Sequence, residues 1–195
     1  MNRLVFRLKS INRLLVMPVV LIIFFLIFFL IYNEIKNKTI NEFNNEQLIL
    51  AKTASQGITS FFENYQSDLT FLSKLDNIID FSDNGKTLMA AFYNTHKSII
   101  TAITRVDSHG VILYTYPNNQ SVTDRDISHQ KHVQKVITEH QPVISDVFMS
   151  AQGYLTIALH VPVFKDNKFA GSLAILIPMD ELGKLYLGKI ENKKN

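Results

Sequence analysis

Two histidines and an acidic residue stand close enough in the sequence to suggest a polar site. His129 and His132 are three residues apart, a spacing that places both on one face of a helix. Together with Asp146 or His160 they supply side chains of the types that bind Zn²⁺. The plainer interpretation is a helix with one histidine packed and the other solvated. We therefore predict no metal and no cofactor.

A small-molecule site is the other functional interpretation of this stretch. His129 and His132 could donate hydrogen bonds to an anion, aided by Arg125 and by the N-terminus of a helix beginning at Ser128. Asp126 is expected to fix the loop beside Ser128. The predicted ligand-binding residues are Tyr116, Arg125, His129, Gln130, His132 and Asp146.

Two tyrosines alternate onto one face of a predicted strand. Tyr114 and Tyr116 are two residues apart, and Arg105 lies across the predicted hairpin. Such a pair forms either an aromatic wall with polar tips in a pocket or a cross-strand pair on the surface. Pro117 directs the chain after Tyr116 into the connection that follows, so Tyr116 is the stronger candidate for the site.

Catalytic patterns are missing from the sequence. There is no nucleophile–base pattern, no Gly-rich phosphate loop and no cysteine. Asp126 and Asp146 could form a carboxylate pair for acid–base chemistry, but the loop accounts for Asp126 better. Without cysteine there is neither a disulfide framework nor thiol chemistry. We therefore predict a binding protein rather than an enzyme.

An uncharged apolar run fills residues 14–32. Its 19 residues are enough to cross the hydrocarbon core of a bilayer. The apolar region of a signal peptide is shorter, about 7–15 residues, and ends at small residues, whereas Phe28, Phe29 and Tyr32 stand here. The run is therefore predicted to be an uncleaved, single-pass anchor in the inner (cytoplasmic) membrane.

The charge distribution orients this anchor. Four basic residues precede the run, namely Arg3, Arg7, Lys9 and Arg13. Their excess favours a cytoplasmic N-terminus and an extracytoplasmic, periplasmic location for the rest of the chain. They also account for the formal net charge of +3, because without them 16 basic residues face 17 acidic ones. The remainder is not charged like a nucleic-acid-binding protein.

A long helix is predicted over residues 33–81, which contain no proline and a single glycine. A stripe with three- and four-residue steps runs through Ile40, Phe43, Gln47, Ala51, Ala54, Ile58, Phe61, Tyr65, Leu69, Leu72 and Leu75. An amphipathic helix presents such a stripe to a partner. Residues 61–79 are expected to pack on the chain's own domain. The lower half packs there too, or on a second copy in a parallel homodimer.

The remaining chain alternates short helices with period-two strands. After a break at 82–85, helices are predicted over 86–96, from Ser128 to about 140, and from about 180 to 187, with strands over 99–106, 111–116, 142–148, 154–163 and 169–177. Strands joined mostly by hairpins, with helices on one side, give an α+β domain on a five-stranded antiparallel sheet.

This order of helices and strands, together with the amino-acid sequence of several stretches, resembles the Cache family of bacterial sensors, which are PAS-like. The most specific stretches are DSHGVIL (107–113), DISHQKHV (126–133), PVISDVF (142–148) and residues 161–182. The resemblance covers about residues 34–187. It implies an extracytoplasmic sensor of small molecules, similar to the input modules of histidine kinases, chemoreceptors and diguanylate cyclases. In that family the pocket lies between the sheet and the segment crossing it, here residues 116–133.

One departure from the family bears on the ligand. Members that bind amino acids typically carry an Arg-x-Trp/Tyr-Tyr/Phe stretch for the carboxylate and a late Asp for the ammonium group. Here Gln130, His132 and Val133 match the first, and Leu176 matches the second, while Asp146 does match a pocket acid. A free amino acid would lose a charge-assisted clamp at each end. We expect another small molecule, with an organic anion as a candidate.

The predicted organisation is a cytoplasmic N-terminus (1–13), a transmembrane helix (14–32), a long extracytoplasmic helix (33–81), a Cache-type sensor domain (82–187) and a polar tail (188–195). The predicted function is a membrane-anchored sensor input module for a small molecule. The alternative is a structural or adhesive membrane protein whose domain binds another protein. A cavity lined by polar groups would favour the first function, and a filled core with an exposed apolar patch would favour the second.

Overall fold

The computed structural model describes the backbone of residues 2–150 and 153–186, and the side chains of residues 17–150 and 153–185. The elements are α1 (Asn2–Ser73), α2 (Asp76–Ile79), α3 (Asp83–His96), β1 (Ala102–Val106), β2 (Ile112–Tyr116), α4 (Lys131–Glu139), β3 (Val143–Ile144), β4 (Phe148–Met149), β5 (Leu155–Lys165), β6 (Lys168–Pro178) and α5 (Met179–Tyr186). The predicted polar tail and most of a predicted turn at 151–153 lie outside the described residues. Contacts divide the chain into two compact units, Met1–Lys52 and Thr53–Asn195.

The first unit, Met1–Lys52, is formed by α1. All side chains of residues 17–32 are exposed, among them the large apolar Phe24 and Phe28. Within the described residues, α1 from Met17 onward is the one helix that is long and apolar enough to cross a membrane, judged by length and composition. The predicted long apolar helix is therefore present, and its insertion in a membrane stays a prediction.

The second unit is built on one antiparallel sheet. Its strands are ordered β2-β1-β6-β5-β3, and β4 also pairs with β5. The longest pair, β5 and β6, is joined by Asp166 and Asn167, whose φ angles are 50° and 61°. Two consecutive positive φ angles make a hairpin turn that matches the right-handed twist of the strands. The predicted α+β fold is confirmed.

One face of the sheet packs against helices. The core on this face contains Phe61, Phe62, Tyr65, Leu69 and Leu72 of α1 together with Ile103, Leu159, Val161, Leu173, Ile175 and Ile177 of the strands. Burying such side chains stabilises the fold by about 1.5–3 kcal/mol each. Because strand side chains alternate between faces, Thr104, His160 and Ala174 are left for the opposite face.

The predicted count of five strands is wrong, because the segment 142–148 does not form one continuous strand. β3 ends at Ile144, and the backbone N–H of Ser145 still donates to the carbonyl of Ala158 at 2.8 Å. The Ala158 N–H, however, donates to the Ser145 hydroxyl at 2.8 Å and not to a backbone carbonyl. The chain leaves β5 at this point and pairs with it again as β4, opposite Thr156 and Leu155.

The long helix ends earlier than the predicted Phe81. α1 stops at Ser73, and Leu75 has extended backbone angles before the short α2 begins. The predicted break at 82–85 contains the start of α3, where the Ser82 side chain accepts a hydrogen bond from the Gly85 N–H at 3.2 Å. Ser82 is thus an N-cap, and the last predicted turns of the long helix form a separate element.

Residues 117–130 cross the second face of the sheet. The Ile127 N–H donates to the Gly110 carbonyl at 2.9 Å, and Val122 and Ile127 are buried against Val106 and Ile112. Gly110 has a φ of 90°, and a Cβ there would lie 2.7 Å from the Ser128 Cβ. Only glycine allows the two segments to approach so closely.

The helix predicted from Ser128 begins later, at Lys131, with Gln130 at the N-cap position. The Ser128 N–H is taken by the Asp126 carboxylate at 2.8 Å, so a turn precedes the helix. Asp126 therefore supports the loop, as predicted. His140 ends the helix in the left-handed conformation.

Candidate functional site

A narrow cavity lies between the second face of the sheet and the crossing segment. Its lining residues are Thr104, Val106, Ile112, Ile127, Gln130, His132, Phe148, Ser150, His160, Ala174 and Leu176. The cavity volume is about 40 Å³. The walls are mainly apolar, with a few polar groups, which is the usual character of a small-molecule site.

Two imidazoles belong to the polar part of the wall, together with Thr104, Gln130 and Ser150. The ring centroids of His132 and His160 are 5.1 Å apart, and His132 packs on Phe148 at 4.4 Å. Both histidines are buried, with 8% and 2% of their surface exposed. His132 comes from the first turn of α4 and His160 from the middle of β5, so the helix and the sheet each contribute one ring.

Burial keeps both rings uncharged. Desolvation lowers the pKa of His132 to about 4. Desolvation, followed by repulsion from His132, lowers the pKa of His160 to about 3. Both values lie well below the ordinary histidine pKa of about 6.5, so at neutral pH each ring carries one N–H donor and one lone-pair acceptor.

Hydrogen-bonding capacity remains unused in this cavity. His160 Nδ1 lies 3.1 Å from the Ser172 hydroxyl, and no described residue hydrogen-bonds its Nε2. His132 makes ring contacts, but neither of its nitrogens has a hydrogen-bond partner within residues 17–150 and 153–185. Most buried polar atoms in folded proteins are hydrogen-bonded. These nitrogens are therefore available to a group that enters the cavity.

A wider surface groove adjoins the cavity at Gln130, His132 and Phe148. Its other lining residues include His129, Lys131, Lys135 and residues 143–147 and Met149. His129 and Asp146 are both exposed here. Charged side chains therefore stand at the groove, outside the cavity.

The structure gathers four of the six predicted site residues. All four line the groove, namely His129, Gln130, His132 and Asp146. Gln130 and His132 also line the cavity. The other two are elsewhere. Arg125 is exposed and lines neither space.

Tyr116 lies on the opposite, helix-covered face of the sheet. Its ring packs edge-on against Tyr93 of α3 at 5.3 Å, and Tyr114 belongs to the same core. Arg105 is on this face too, with its guanidinium donating to the carbonyls of Ile78 and Ala170 at 3.4 and 3.1 Å. The tyrosine pair is thus part of the core wall.

Metal coordination gains no support from the geometry. Among the described residues, no group of three or more His, Cys, Asp or Glu side chains is placed to hold a metal ion. His129 and His132 do not share a helix face, because His129 precedes the first helical residue, Lys131.

His160 is the principal residue that the sequence-based site omits. Its neighbours in β5 alternate between large apolar residues on the core face, such as Leu159 and Val161, and Thr156, Ala158 and His160 on the other face. A lone imidazole among small side chains on the less apolar face was a usable indication. Thr104 and Ser150 had no comparable indication.

Comparison with known proteins agrees with this architecture. Residues 63–178, more than half of the chain, match the model of the family described as HK/GC/chemotaxis protein-like, sensor domain. No curated protein matches the chain.

Several solved structures share the fold. An extracellular ligand-binding receptor from Desulfohalobium retbaense has a TM-score of 0.63 and 23% identity, over 70% of this chain and 26% of that one. The sensor domain of the Vibrio cholerae histidine kinase DctB has a TM-score of 0.63 and 14% identity, over 73% and 58%. The ligand-binding domain of the Pseudomonas aeruginosa amino-acid chemoreceptor PctC, in complex with GABA, has a TM-score of 0.58 and 12% identity, over 70% and 64%. The chain spans less than two thirds of each of these structures.

Proposed function

The chain belongs to the HK/GC/chemotaxis protein-like sensor domain family, and from this premise we propose that it is a membrane-anchored extracytoplasmic input module that reads a small molecule. The module supplies an input rather than catalysis. The ligand enters the cavity beneath the crossing segment, and its effect reaches the end of α1 that packs on the other face of the same sheet. The output belongs to a histidine kinase, chemoreceptor, diguanylate cyclase or partner of that type.

The pair His132 and His160 carries the proposal of a ligand site. Two buried neutral imidazoles face one cavity with unused hydrogen-bonding atoms, and the walls around them are mostly apolar. Leaving a buried polar group unpaired costs about 1–3 kcal/mol, and a ligand that pairs with it recovers this free energy. This cavity favours a small-molecule sensor over the structural or adhesive alternative.

A ligand screen with matched variants tests the proposal. The full chain in detergent micelles is screened for thermal stabilisation by small metabolites of varied charge. For a compound that stabilises the protein, calorimetry should give about 5- to 150-fold weaker binding in His132→Ala, equivalent to about 1–3 kcal/mol. His109→Ala removes an exposed imidazole that lines neither the cavity nor the groove, and should bind as the unmodified chain does.

Two outcomes would count against this site. Equal affinity in His132→Ala and in the unmodified chain would place the ligand elsewhere. A screen with no stabilising compound would leave the protein-binding alternative. Asp146→Ala adds a comparison, because a loss of affinity there would extend the site into the groove.

For the membrane arrangement, we propose a single span at residues 14–32, with the N-terminus in the cytoplasm and the sensor domain outside. The exposed apolar side chains of residues 17–32 support a lipid environment. Basic residues ahead of the span support the orientation. The proposed boundaries of the other regions remain 33–81 for the long helix region and 82–187 for the sensor domain.

The lower part of the long helix is proposed to pair with a second copy. Ile40 and Phe43, which belong to the predicted stripe, are 46% and 56% exposed. Further along the same stripe, Phe61 and Leu69 are buried in the domain core. A parallel helix pair would cover the exposed part with the same periodicity.

A further inference from the structure

We propose that the cavity selects small uncharged molecules that combine a hydrogen-bond donor and acceptor with a short apolar body. This inference rests on the proposed function and names its ligand class. It departs from the organic anion expected from the sequence.

The described lining of the cavity carries no formal charge. Among the described residues that line it there is no Arg, Lys, Asp or Glu. The two titratable side chains, His132 and His160, are buried and neutral at neutral pH. A charged ligand group would lose its hydration without gaining an ion pair, which is unfavourable in a mostly apolar enclosure. Uncharged ligands avoid this loss.

The charged groups of the adjoining groove stay outside the cavity lining. Lys131, Lys135 and Asp146 line the groove and do not line the cavity. Arg125, which the sequence suggested as an aid to anion binding, is exposed and lines neither space. A ligand inside the cavity therefore contacts neutral imidazoles, whereas the charged side chains of the groove lie outside the cavity lining.

The two imidazoles also offer both a hydrogen-bond donor and a hydrogen-bond acceptor to a ligand. A neutral imidazole offers one donor and one acceptor. His160 uses Nδ1 with the Ser172 hydroxyl at 3.1 Å, which leaves Nε2, and His132 has both nitrogens to offer. A hydroxyl or a primary amide can donate to one ring and accept from the other. A carboxylate can only accept, and an ammonium group can only donate.

The shape of the cavity favours the same class of ligand. Val106, Ile112 and Ile127 are buried beside the rings and form an apolar wall, with Leu176 on the same lining. The cavity volume is about 40 Å³. These dimensions suit a short alkyl group that carries one polar end.

Three probes of nearly equal size test the charge preference: propionamide, propionate and propylammonium. The full chain is labelled with ¹⁵N-histidine in detergent micelles, and imidazole resonances are followed by NMR at neutral pH. His132→Asn and His160→Asn assign the two resonances. His109→Asn, which alters an exposed ring that lines neither the cavity nor the groove, is the control.

Propionamide should shift the His132 and His160 resonances in a saturable way, with at least about tenfold higher affinity than propionate or propylammonium. A tenfold ratio corresponds to 1.4 kcal/mol. Its affinity should be equal in His109→Asn and lower in His132→Asn. Its binding should also be unchanged when the pH is lowered from 8 to 6, because neither buried ring takes up a proton in this range.

Equal or tighter binding of propionate or propylammonium at the two rings would overturn the charge preference and leave the sensor proposal intact. Absence of any shift by millimolar propionamide would overturn the ligand class as well. The sensor proposal itself fails only if the metabolite screen also finds no compound whose binding depends on His132.

Discussion

At the level of single residues, Gly110 decides whether the crossing segment can close over the sheet. Its φ of 90° is accessible to glycine and strained for other residues. A side chain would also meet Ser128, whose Cα lies 2.8 Å from the position of an added Cβ. The hydrogen bond from Ile127 to the Gly110 carbonyl depends on this approach. The packing of the crossing segment over the cavity is therefore sensitive to the addition of a single methyl group at Gly110.

Alanine at Gly110 should destabilise the protein more than alanine at a strained but open glycine. Gly153 has a similar φ of 89°, and apart from its chain neighbours no described residue has an atom within 4 Å of an added Cβ. We expect Gly110→Ala to lower the free energy of unfolding by about 3 kcal/mol and Gly153→Ala by about 1 kcal/mol. Denaturant unfolding of the full chain in micelles measures both values. Equal losses would show that backbone strain alone matters and that the contact with Ser128 does not.

At the level of elements, α1 has two differently used stretches. Ile58 to Leu72 of the stripe packs in the core of the second unit, whereas Ile35, Ile40, Phe43 and Ile49 are exposed in the first unit. The periodicity does not change between them, so the difference comes from the presence of a sheet to pack on. The exposed stretch is where a partner helix would bind.

A cysteine on the stripe should crosslink two copies. Ala51→Cys lies on the predicted stripe, and Asn45→Cys lies about 160° around the helix from the neighbouring stripe residues Phe43 and Gln47, at about 100° per residue. In a parallel pair, Ala51→Cys should form a disulfide-linked dimer in membranes under mild oxidation, and Asn45→Cys should not. Gel electrophoresis without reductant gives the readout. Equal crosslinking of the two variants would indicate random collision rather than a defined interface.

The connection between sheet and helices includes a buried cation. Arg105 of β1 is 2% exposed, and burial lowers its pKa to about 10, so it stays charged at neutral pH. It donates to the carbonyls of Ile78 in α2 and Ala170 in β6. Its neighbours Thr104 and Val106 line the cavity on the opposite face. β1 thus contacts both the proposed ligand space and the helical layer.

For the whole molecule, the two faces of the sheet divide the sensor domain into two functional layers. One face buries the end of α1 with α2 and α3. The other carries the cavity and the crossing segment. A ligand that orders the crossing segment would change the populations of sheet conformations, and the helix packed on the other face would respond to that shift.

The proposed orientation predicts unequal labelling across the membrane. Single cysteines at Ser10 and Ser121 are treated with an impermeant thiol reagent on intact cells. Ser121 is exposed in the crossing segment, so the Ser121→Cys variant should be labelled in intact cells. The Ser10→Cys variant should react only after permeabilisation. The absence of native cysteine keeps the background low. Labelling of Ser10→Cys but not of Ser121→Cys in intact cells would contradict the proposed orientation.

Local patterns were sufficient for much of this protein. The apolar run at 14–32, the helical stripe and the period-two strands predicted the elements, because each depends on neighbours a few residues apart. The family resemblance and the place of Gln130 and His132 in the cavity could also be predicted. Asp126 was correctly expected to support its loop, because a side chain bonding two residues onward is a local interaction.

Only the tertiary structure decided which side chains meet. His132 and His160 are 28 positions apart in the sequence, and only the packing of α4 on β5 brings their rings to 5.1 Å. Tyr116 was expected at the site but faces the helical core, because pairing of β2 with β1 places it there beside Tyr93. The split of the predicted strand 142–148 likewise depends on the Ser145 hydroxyl reaching Ala158. Periodicity along the chain assigns faces within one element, whereas the burial and neutrality of the two imidazoles arise from contacts between elements, which only the assembled fold creates.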